Sequence, residues 1–429
     1  MSSTQRLIDQ EVVSDATAGT QRLLPRDPWS PVGLAAHLER HGALMQHASS
    51  DQWRKATLRE IERAGLVGHG GAAFPTGQKL RALLAHGGRP FVIANGTEGE
   101  PASMKDRVLL ARAPHLVLDG AAFAASLVGA KEIVMVVHRD VRESVDTALA
   151  ERQRTRLDSA KFRVVTAADG FVAGEASAVA NWVGRSVPIP MGKAPRMTER
   201  GLRGRPTLVQ NVETLAHLGL IGRHGADWFR EVGTADEPGT MLVTLAGSVV
   251  RRGVFEVAIG ARTSHVLELA GGPSEPIQAL LIGGYFGTWI PAAAALSAPF
   301  STGGLGVGLG AGLVVALPAA GCGVLETARL VRYLASQSAG QCGPCKFGLP
   351  AIAEQLDLLA EGRPVRFDDL TRWVDEIVGR GACGHPDGVA RHIRSALDVF
   401  AHEVSEHLAG RCSASEGQAS LVLPTEELL

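Results

Sequence analysis

The sequence predicts an α/β protein built on a parallel sheet, followed by a small α+β module and a helical C-terminal region. Three observations carry this. "EIVMVVH" (132–138), "VRESVDTALAERQRTRL" (141–157) and "FRVVTAA" (162–168) read as strand, amphipathic helix and strand with short connections, which implies parallel pairing. Near residue 238 the texture changes to short β runs with a turn at Arg251–Gly253. After about residue 324 the chain turns helical, as in "VLETARLVRYLASQS" and "GVARHIRSALDVFAHEV".

The remaining elements follow in order. Residues 1–30 read as weakly structured. Residues 31–64 have helical texture, with Pro31 before the first turn. A glycine-dense loop, "GLVGHGGAAFPTGQK", leads into a helix near Gln78, and Phe91–Ala94 reads as a short buried strand. "HLVLDGAAFAASLVGA" (115–130) reads as a buried helix, and "TLVQNVETLAHLGLI" after Pro206 reads as a second one. Residues 291–319 read as loops and short buried strands, because Pro291, Pro299 and "STGGLGVGLGAG" break the run too often for a membrane span.

A chain of 429 residues is too long for one core. The expected division is an N-terminal extension (1–50), an α/β domain (51–235), a small β module (236–320), a helical domain (321–412) and a tail (413–429). A formal net charge of −1 without any Lys/Arg block excludes nucleic acid as a partner expected from charge. Five cysteines, an odd count, argue against a secreted disulfide scaffold. The polar, acidic N-terminus lacks the pattern of a signal peptide. A cytoplasmic protein is expected.

Three loops carry candidate chemistry. In "GHGGAAFPTGQK", Gly68, Gly70, Gly71 and Lys79 offer close backbone approach, helix-start N–H groups and a cation, the makings of an anion site. The spacing is neither G-x-x-x-x-G-K-[ST] nor G-x-G-x-x-G, so a tight structural loop is an equal reading. "NGTEGEP" places Glu98 and Glu100 after a strand, where open α/β sheets bind ligands. "GFVAGEASA" places Glu175 in the same kind of position. Each acid alone reads most simply as part of a solvated turn. Three such loops on one sheet suggest a ligand crevice.

The cysteines form a further constellation. Cys342 and Cys345 stand at C-x-x-C spacing in "SAGQCGPCKFG", and Cys383 lies in "GRGACGHPDG". Thiolates in glycine-rich loops suit an iron–sulfur cluster. Zinc with His385 and a redox disulfide are the rivals. Cys322 and Cys412 read as structural.

In their order along the chain these segments resemble the flavin-bearing, NADH-binding subunit of respiratory complex I and its relatives in NAD-reducing hydrogenases and formate dehydrogenases. "GLVGHGGAAFPTGQK" resembles GLRGRGGAGFPTGLKW, and "NGTEGEPASMKDR" resembles NADE-x-EPGTxKDR. "GEASA" resembles GEETA, and "GRPTLVQNVETLAHL" resembles GKPTxVNNVETL. "GSVVRRGVFEVAIG" resembles the small soluble-ligand-binding β-grasp (SLBB) module, and "GQCGPCKFGLP" with "GACGHPDG" resembles ESCGxCxPCRxG with its later TICALGD.

The resemblance implies a Rossmann-like FMN/NADH domain, an SLBB module and a helical iron–sulfur domain. It implies FMN against Gly68, His69, Gly70, Gly71 and Lys79. Asn95, Thr97 and Glu98 would line the isoalloxazine, and Gly174, Glu175, Gln210, Asn211 and Thr214 would complete the pocket. Glu100, Phe74 and Lys193 match NADH-binding positions. Hydride transfer needs no protein acid or base, so Glu100 and Glu175 would position and tune the site. The departures are Thr97 for the Asp of NADE, Ala176 for the second acid of GEE, and His69 for the Arg of GRGG. Ala82 and Arg196 replace aromatic residues, which leaves Phe74 alone to stack. Ala339 stands where the first cluster cysteine belongs, and Cys342, Cys345 and Cys383 match the other three. Three thiolates can hold a [3Fe–4S] cluster, or a [4Fe–4S] cluster whose fourth iron takes water, Cys322 or another ligand. The implied activity is NAD(H)-linked: hydride from NADH to FMN, then single electrons through the cluster to a ferredoxin-like or other acceptor subunit. The alternative is an electron-transfer or scaffold subunit whose NADH site has degenerated.

Overall fold

The computed structural model describes residues 21–25, 31–44, 50–414 and 420–423. The expected weak structure of residues 1–30 lies outside the described residues except for 21–25, an irregular segment whose Leu23 and Leu24 are buried, and most of the tail lies outside them too.

Strands buried on both faces need continuous apolar runs rather than alternation. "FVIANG" forms β1 (Phe91–Gly96), and "EIVMVV" forms β2 (Glu132–Val137), each with four or more fully buried residues. β3 (Lys161–Thr166) and β4 (Thr207–Asn211) complete a parallel sheet in the order β3-β2-β1-β4. Helices flank it in chain order: α1 (Leu34–His41), α2 (Asp51–Ala64), α3 (Thr76–His86), α4 (Lys105–Arg112), α5 (Pro114–Val128), α6 (Arg142–Arg154), α7 (Ala176–Arg185) and α8 (Val212–Arg230). From β1 the chain winds outward through β2 to β3, then returns to the other side of β1 as β4. Strand order reverses between β1 and β4, and an open α/β sheet leaves a crevice at that point.

One expectation needs correction here. "TLVQNVETLAHLGLI" is not one helix: Thr207–Asn211 is strand β4, and α8 begins only after it. A five-residue apolar run has no periodicity that separates strand from helix. Pairing along β1, from Phe91 opposite Thr207 to Asn95 opposite Asn211, settles it as a strand. Asn211 then turns the chain, its Oδ1 accepting from the Glu213 N–H at 3.0 Å as the N-cap of α8.

α5 is buried along almost its whole length and crosses α8 at Gly120 and Gly219. A Cβ on Gly120 would stand 1.7 Å from the Leu215 carbonyl oxygen. The two backbones touch there, which fixes α8 and its N-terminus against the sheet.

A five-stranded mixed sheet follows: β5 (Thr240–Gly247), β6 (Gly253–Ala258), β7 (Ile277–Ile282), β8 (Thr288–Pro291) and β9 (Leu313–Pro318), in the order β6-β5-β9-β7-β8. The two-residue alternation of strands gives it two cores. Leu281, Val315 and Leu317 pack toward the C-terminal helices. Leu280, Ile282 and Val314 pack toward α9 (Thr263–Glu268) and α10 (Ala292–Ser297). Residues 291–319 thus hold short helices, α10 and α11 (Thr302–Leu305), beside β9. The remaining helices are α12 (Gly323–Ser336), α13 (Leu349–Ala360), α14 (Phe367–Glu376), α15 (His385–Val399) and α16 (Ala401–Leu408). Among the described residues no single helix is long and apolar enough to cross a membrane.

Candidate functional site

The crevice forms where three loops meet the ends of β1 and β4. The glycine loop closes on itself through the Gly68 N–H and the Phe74 carbonyl (3.0 Å). It docks on β4 and α8: the His69 N–H donates to Thr214 Oγ1 at 2.9 Å, and a Cβ on Gly70 would meet Asn211 Cβ at 3.2 Å. Gly71 has φ +105°, which favours glycine. Lys79, on α3, donates to the Val209 carbonyl (3.1 Å) and to Gln210 Oε1 (3.0 Å), while Gln210 Nε2 donates to Thr76 Oγ1. Burial pulls the Lys79 pKa down to about 8. Its hydrogen-bond partners are two neutral oxygens, so an anion is the partner its charge lacks.

Asn95 is the hub. Its Oδ1 accepts from the Thr97 N–H and from Thr97 Oγ1 (2.7 Å). Its Nδ2 donates to the Gly174 carbonyl at 3.0 Å, and its own carbonyl accepts from Asn211 Nδ2. Gly68, Gly70, Gly71, Lys79, Asn95, Thr97, Gly174, Gln210, Asn211 and Thr214 are brought together.

Other expected side chains are placed differently. The His69 ring turns into the core against Glu213 (3.3 Å) and His217, and burial, with the Lys105 charge, pushes its pKa down to about 3. Only its backbone faces the loop. The Glu98 carboxylate caps α4, accepting from the Asp106 and Arg107 N–H groups and from Ser103 Oγ and Arg107 Nε. Its φ of +49° is strained for a residue with a side chain. Glu175 is the N-cap of α7, accepting from the Ser177 and Ala178 N–H groups. Phe74 is 48% exposed, at the rim. Lys193 lies on the cysteine side, 3.8 Å from Asp387.

Glu100 is the group left unsatisfied. Its Oε1 accepts weakly from the Tyr285 N–H (3.3 Å), and its shielded Oε2 has no partner among the described residues. Burial raises its pKa to about 8. The carboxyl is lodged on the turn after β7, where a Cβ on Gly284 would come within 2.3 Å of Oε2. A half-buried carboxyl with a free oxygen at a crevice suits a hydrogen-bonding ligand.

Sequence reasoning missed the buried charges under this floor. Lys105 Nζ lies 2.7 Å from Asp106 Oδ1 and 2.8 Å from Glu213 Oε2. Burial alone would lower the lysine pKa, but the two carboxylates outweigh it and hold Lys105 charged. Asp106 Oδ2 in turn accepts from Asn211 Nδ2 at 2.7 Å. The signal was legible: "KDR" opens a helix whose next four residues, "VLLA", are apolar.

The loop 170–175 runs from the crevice to the cysteines. Gly174 holds Asn95 at one end, and the Glu175 charge acts on the Cys383 thiol at the other. Phe171 packs edge-on against Phe286 (4.8 Å between centroids), His385 and Tyr333 and stacks on Tyr285, while its N–H donates to Gln337 Oε1 at 3.1 Å. Cys342, Cys345 and Cys383 are electrostatic neighbours, and each pair interacts. Burial and the neighbouring thiols push Cys345 up to about 12. Burial raises Cys342 too, but N–H groups of Ala382 and Cys345 and the Lys193 charge bring it below the usual thiol value. Backbone N–H groups aimed at sulfur, with three thiols converging, fit an iron–sulfur cluster. The zinc reading lacks a compact ligand set: His385 Nε2 donates to the Leu334 carbonyl at 2.8 Å and leaves Nδ1 as an acceptor, but among the described residues these cysteines and His385 form no group whose ligand atoms lie within 4.8 Å of one another. Cys322 is no fourth ligand either. It caps the N-terminus of α12, whereas the cysteine loops follow the C-terminus of that 14-residue helix, about 21 Å along.

Comparison with known proteins matches two regions of the chain. The Nuo51 FMN-binding domain model matches residues 61–219, and the NADH-ubiquinone oxidoreductase-F iron-sulfur binding region matches residues 326–407. The F subunit of NADH-quinone oxidoreductase from Streptomyces coelicolor (strain ATCC BAA-471 / A3(2) / M145) is 30% identical over 371 residues, covering 82% of each chain. The F 2 subunit of NADH-quinone oxidoreductase from Rhizobium meliloti (strain 1021) is 29% identical over 82% of this chain and 88% of its own. The HndC subunit of the NADP-reducing hydrogenase of Solidesulfovibrio fructosivorans is 29% identical over 81% of this chain and 75% of its own. Among solved structures, NAD+-reducing [NiFe]-hydrogenase in the air-oxidized state superposes with a TM-score of 0.78 at 28% identity, over 90% of this chain. This chain spans 66% of that hydrogenase chain. The crevice and the cysteine loops fall inside the two matched regions, and the chain belongs to the family of NADH-quinone oxidoreductase F subunits.

Proposed function

We propose that the chain is an NADH-oxidising flavoprotein subunit that passes electrons through its iron–sulfur site to a ferredoxin-like partner subunit. The observation that carries this is the loop 170–175, which bonds Asn95 at the crevice through Gly174 and, through the Phe171 N–H, Gln337 at the start of the cysteine loop. FMN, when bound, supplies acceptance of a hydride and release of single electrons.

The chain's own residues do the rest. Lys79 and the N–H groups of the glycine loop bind the phosphate. Asn95, Thr97 and Gly174 bound the flat face of the pocket, and Gln210, Asn211 and Thr214 hold the loops in place. Glu100 offers its free oxygen to the nicotinamide nucleotide, with Phe74 and Lys193 on its path. Glu175 positions its own loop by capping α7. Cys342, Cys345 and Cys383 hold the iron. Residues 51–235 form the flavin unit, 236–320 an SLBB-type β-grasp module that braces Glu100, and 321–412 the iron–sulfur unit, between an N-terminal extension (1–50) and a tail (413–429). The reading carries a cytoplasmic location, where thiols stay reduced.

A second reading is favoured by Ala82 and Arg196, which leave Phe74 as the one stacking ring. Base stacking is worth about 1–3 kcal/mol per ring. On this reading the chain keeps flavin and iron but no longer takes electrons from NADH. The protein purified under argon separates the two: flavin absorption that bleaches with NADH supports the first. Flavin that ignores NADH but responds to reduced ferredoxin supports the second. Protein that stays colourless after reconstitution with FMN, iron and sulfide overturns both.

A further inference from the structure

Two side-chain clusters outside the crevice and the cysteine loops have the composition of a metal site. His69, Glu213 and His217 lie together, but Lys105 Nζ stands 2.8 Å from Glu213 Oε2 and occupies the place of a cation. No lysine or arginine among the described residues forms an ion pair with the other cluster. Cys322 at the start of α12, Glu403 and His407 on α16, and Cys412 just beyond it bring four ligand atoms within 4.8 Å of one another.

The spacing within this cluster fits a tetrahedral ion. With Zn–S near 2.3 Å and Zn–N or Zn–O near 2.0–2.1 Å, the edges of a zinc tetrahedron run about 3.3–3.8 Å. Here Cys322 Sγ lies 3.2 Å from His407 Nε2 and 3.6 Å from Glu403 Oε1. Glu403 Oε1 lies 3.3 Å from His407 Nε2 and 3.4 Å from Cys412 Sγ. The surroundings are also those of a ligand set. His407 Nδ1 faces the Leu359 carbonyl at 3.1 Å. A carbonyl only accepts, so Nδ1 carries the proton and Nε2 turns its lone pair inward, as in metal-bound histidines. The second oxygen of Glu403 accepts from Ser413 Oγ, and the Leu325 N–H at the start of α12 donates to Cys322 Sγ.

We propose that Cys322, Glu403, His407 and Cys412 form a closed structural site for a zinc-class divalent cation, separate from the iron–sulfur cysteines. All four positions are protein ligands, so no coordination site is left open for chemistry. Binding displaces the two thiol protons to solvent and leaves the imidazole proton on Nδ1. The ion ties α12 to α16 and to the segment that runs into the tail. Residues 420–423 return along the same region, where the Ser420 and Leu421 N–H groups donate to the Glu326 carboxylate and the Val422 carbonyl accepts from the Tyr285 hydroxyl.

The test uses the full chain expressed with zinc and purified under argon, with metals measured by mass spectrometry. Zinc bound adventitiously at the iron–sulfur loops is removed from the comparison by working in a Cys342→Ser/Cys345→Ser/Cys383→Ser background. Zinc near one per chain in that background is expected. Cys412→Ser and His407→Gln should each weaken binding by at least about 10- to 100-fold, the loss that outer-shell changes alone produce. Cys412 is exposed, so its variant keeps the test valid if His407→Gln does not fold. Cobalt added to the metal-free protein should give the visible bands of tetrahedral thiolate coordination and slow proteolysis of residues 409–414. The proposal is overturned by absence of zinc in that background, by zinc content indifferent to Cys412→Ser, or by recovery of Cys322 and Cys412 as a disulfide from thiol-blocked protein.

Discussion

Around the crevice, Asn95 bonds to Thr97 and Asn211 across β1 and β4, and Gln210 ties β4 to Thr76 and Lys79 on α3, whereas among the three cysteines burial and the neighbouring thiols hold Cys345 above the usual thiol value and backbone N–H groups bring Cys342 below it. The first region stands on protein hydrogen bonds alone, with Glu100 Oε2 and the Lys79 charge left for a ligand. In the second, the sulfurs press on one another, so the loops depend on what the thiolates bind. A preformed pocket and a ligand-dependent one thus share a seam.

The most severe break falls on the cysteine side. Cys345→Ser is expected to abolish iron retention and open residues 338–348 to protease, while FMN still binds, as read by iron assay, limited proteolysis and flavin fluorescence. The matching break on the crevice side is Gly120→Ala. Its Cβ would collide with the Leu215 carbonyl, and overpacking of this kind costs about 3 kcal/mol or more. Denaturant titration should register the loss, and FMN binding should fail while iron is retained.

A smaller effect sharpens the comparison. Lys79→Met removes a charge-assisted contact worth about 1.5–3 kcal/mol, so FMN affinity should fall about 10- to 100-fold. In the wild type, FMN affinity should also weaken as pH rises past about 8, where Lys79 loses its proton. Ala339→Cys supplies a fourth thiol: a three-iron wild type should change to a four-iron paramagnetic resonance signal, and a four-iron wild type should keep four irons with a shifted signal.

The smallest effect is a matter of sign. Glu100 is held protonated up to about pH 8 instead of the usual 4.5. Between those values the unfolded chain has released a proton that the folded chain still holds, so Glu100 makes stability fall as pH rises through that window. Glu100→Gln removes this slope. The melting temperature of the variant should gain on the wild type from about pH 5 to about pH 8.

The loops were readable from sequence because glycines, a lysine and acids mark them directly. β4 was not. "TLVQN" is too short to show a period, and only its pairing with β1 makes it a strand. That strand creates the reversal in order, so the reason for the crevice was hidden although its lining was visible. Side-chain direction was equally hidden. His69, Glu98 and Glu175 sit in the right loops, yet a core ring contact and two helix starts take their side chains. No linear pattern shows which of two neighbouring partners a carboxylate will choose. The Cys322 cluster escaped for a related reason: Cys322 is 81 residues from Glu403, and only α16 sets Glu403 and His407 one turn apart.

Phe171 and its ring of Tyr285, Phe286, Tyr333 and His385 lie between the two halves of the protein. Close-packed aromatic matter is nearly incompressible. The loop 170–175 is therefore clamped: its Gly174 end, which bonds Asn95, is anchored through Phe171 in the helical region behind it.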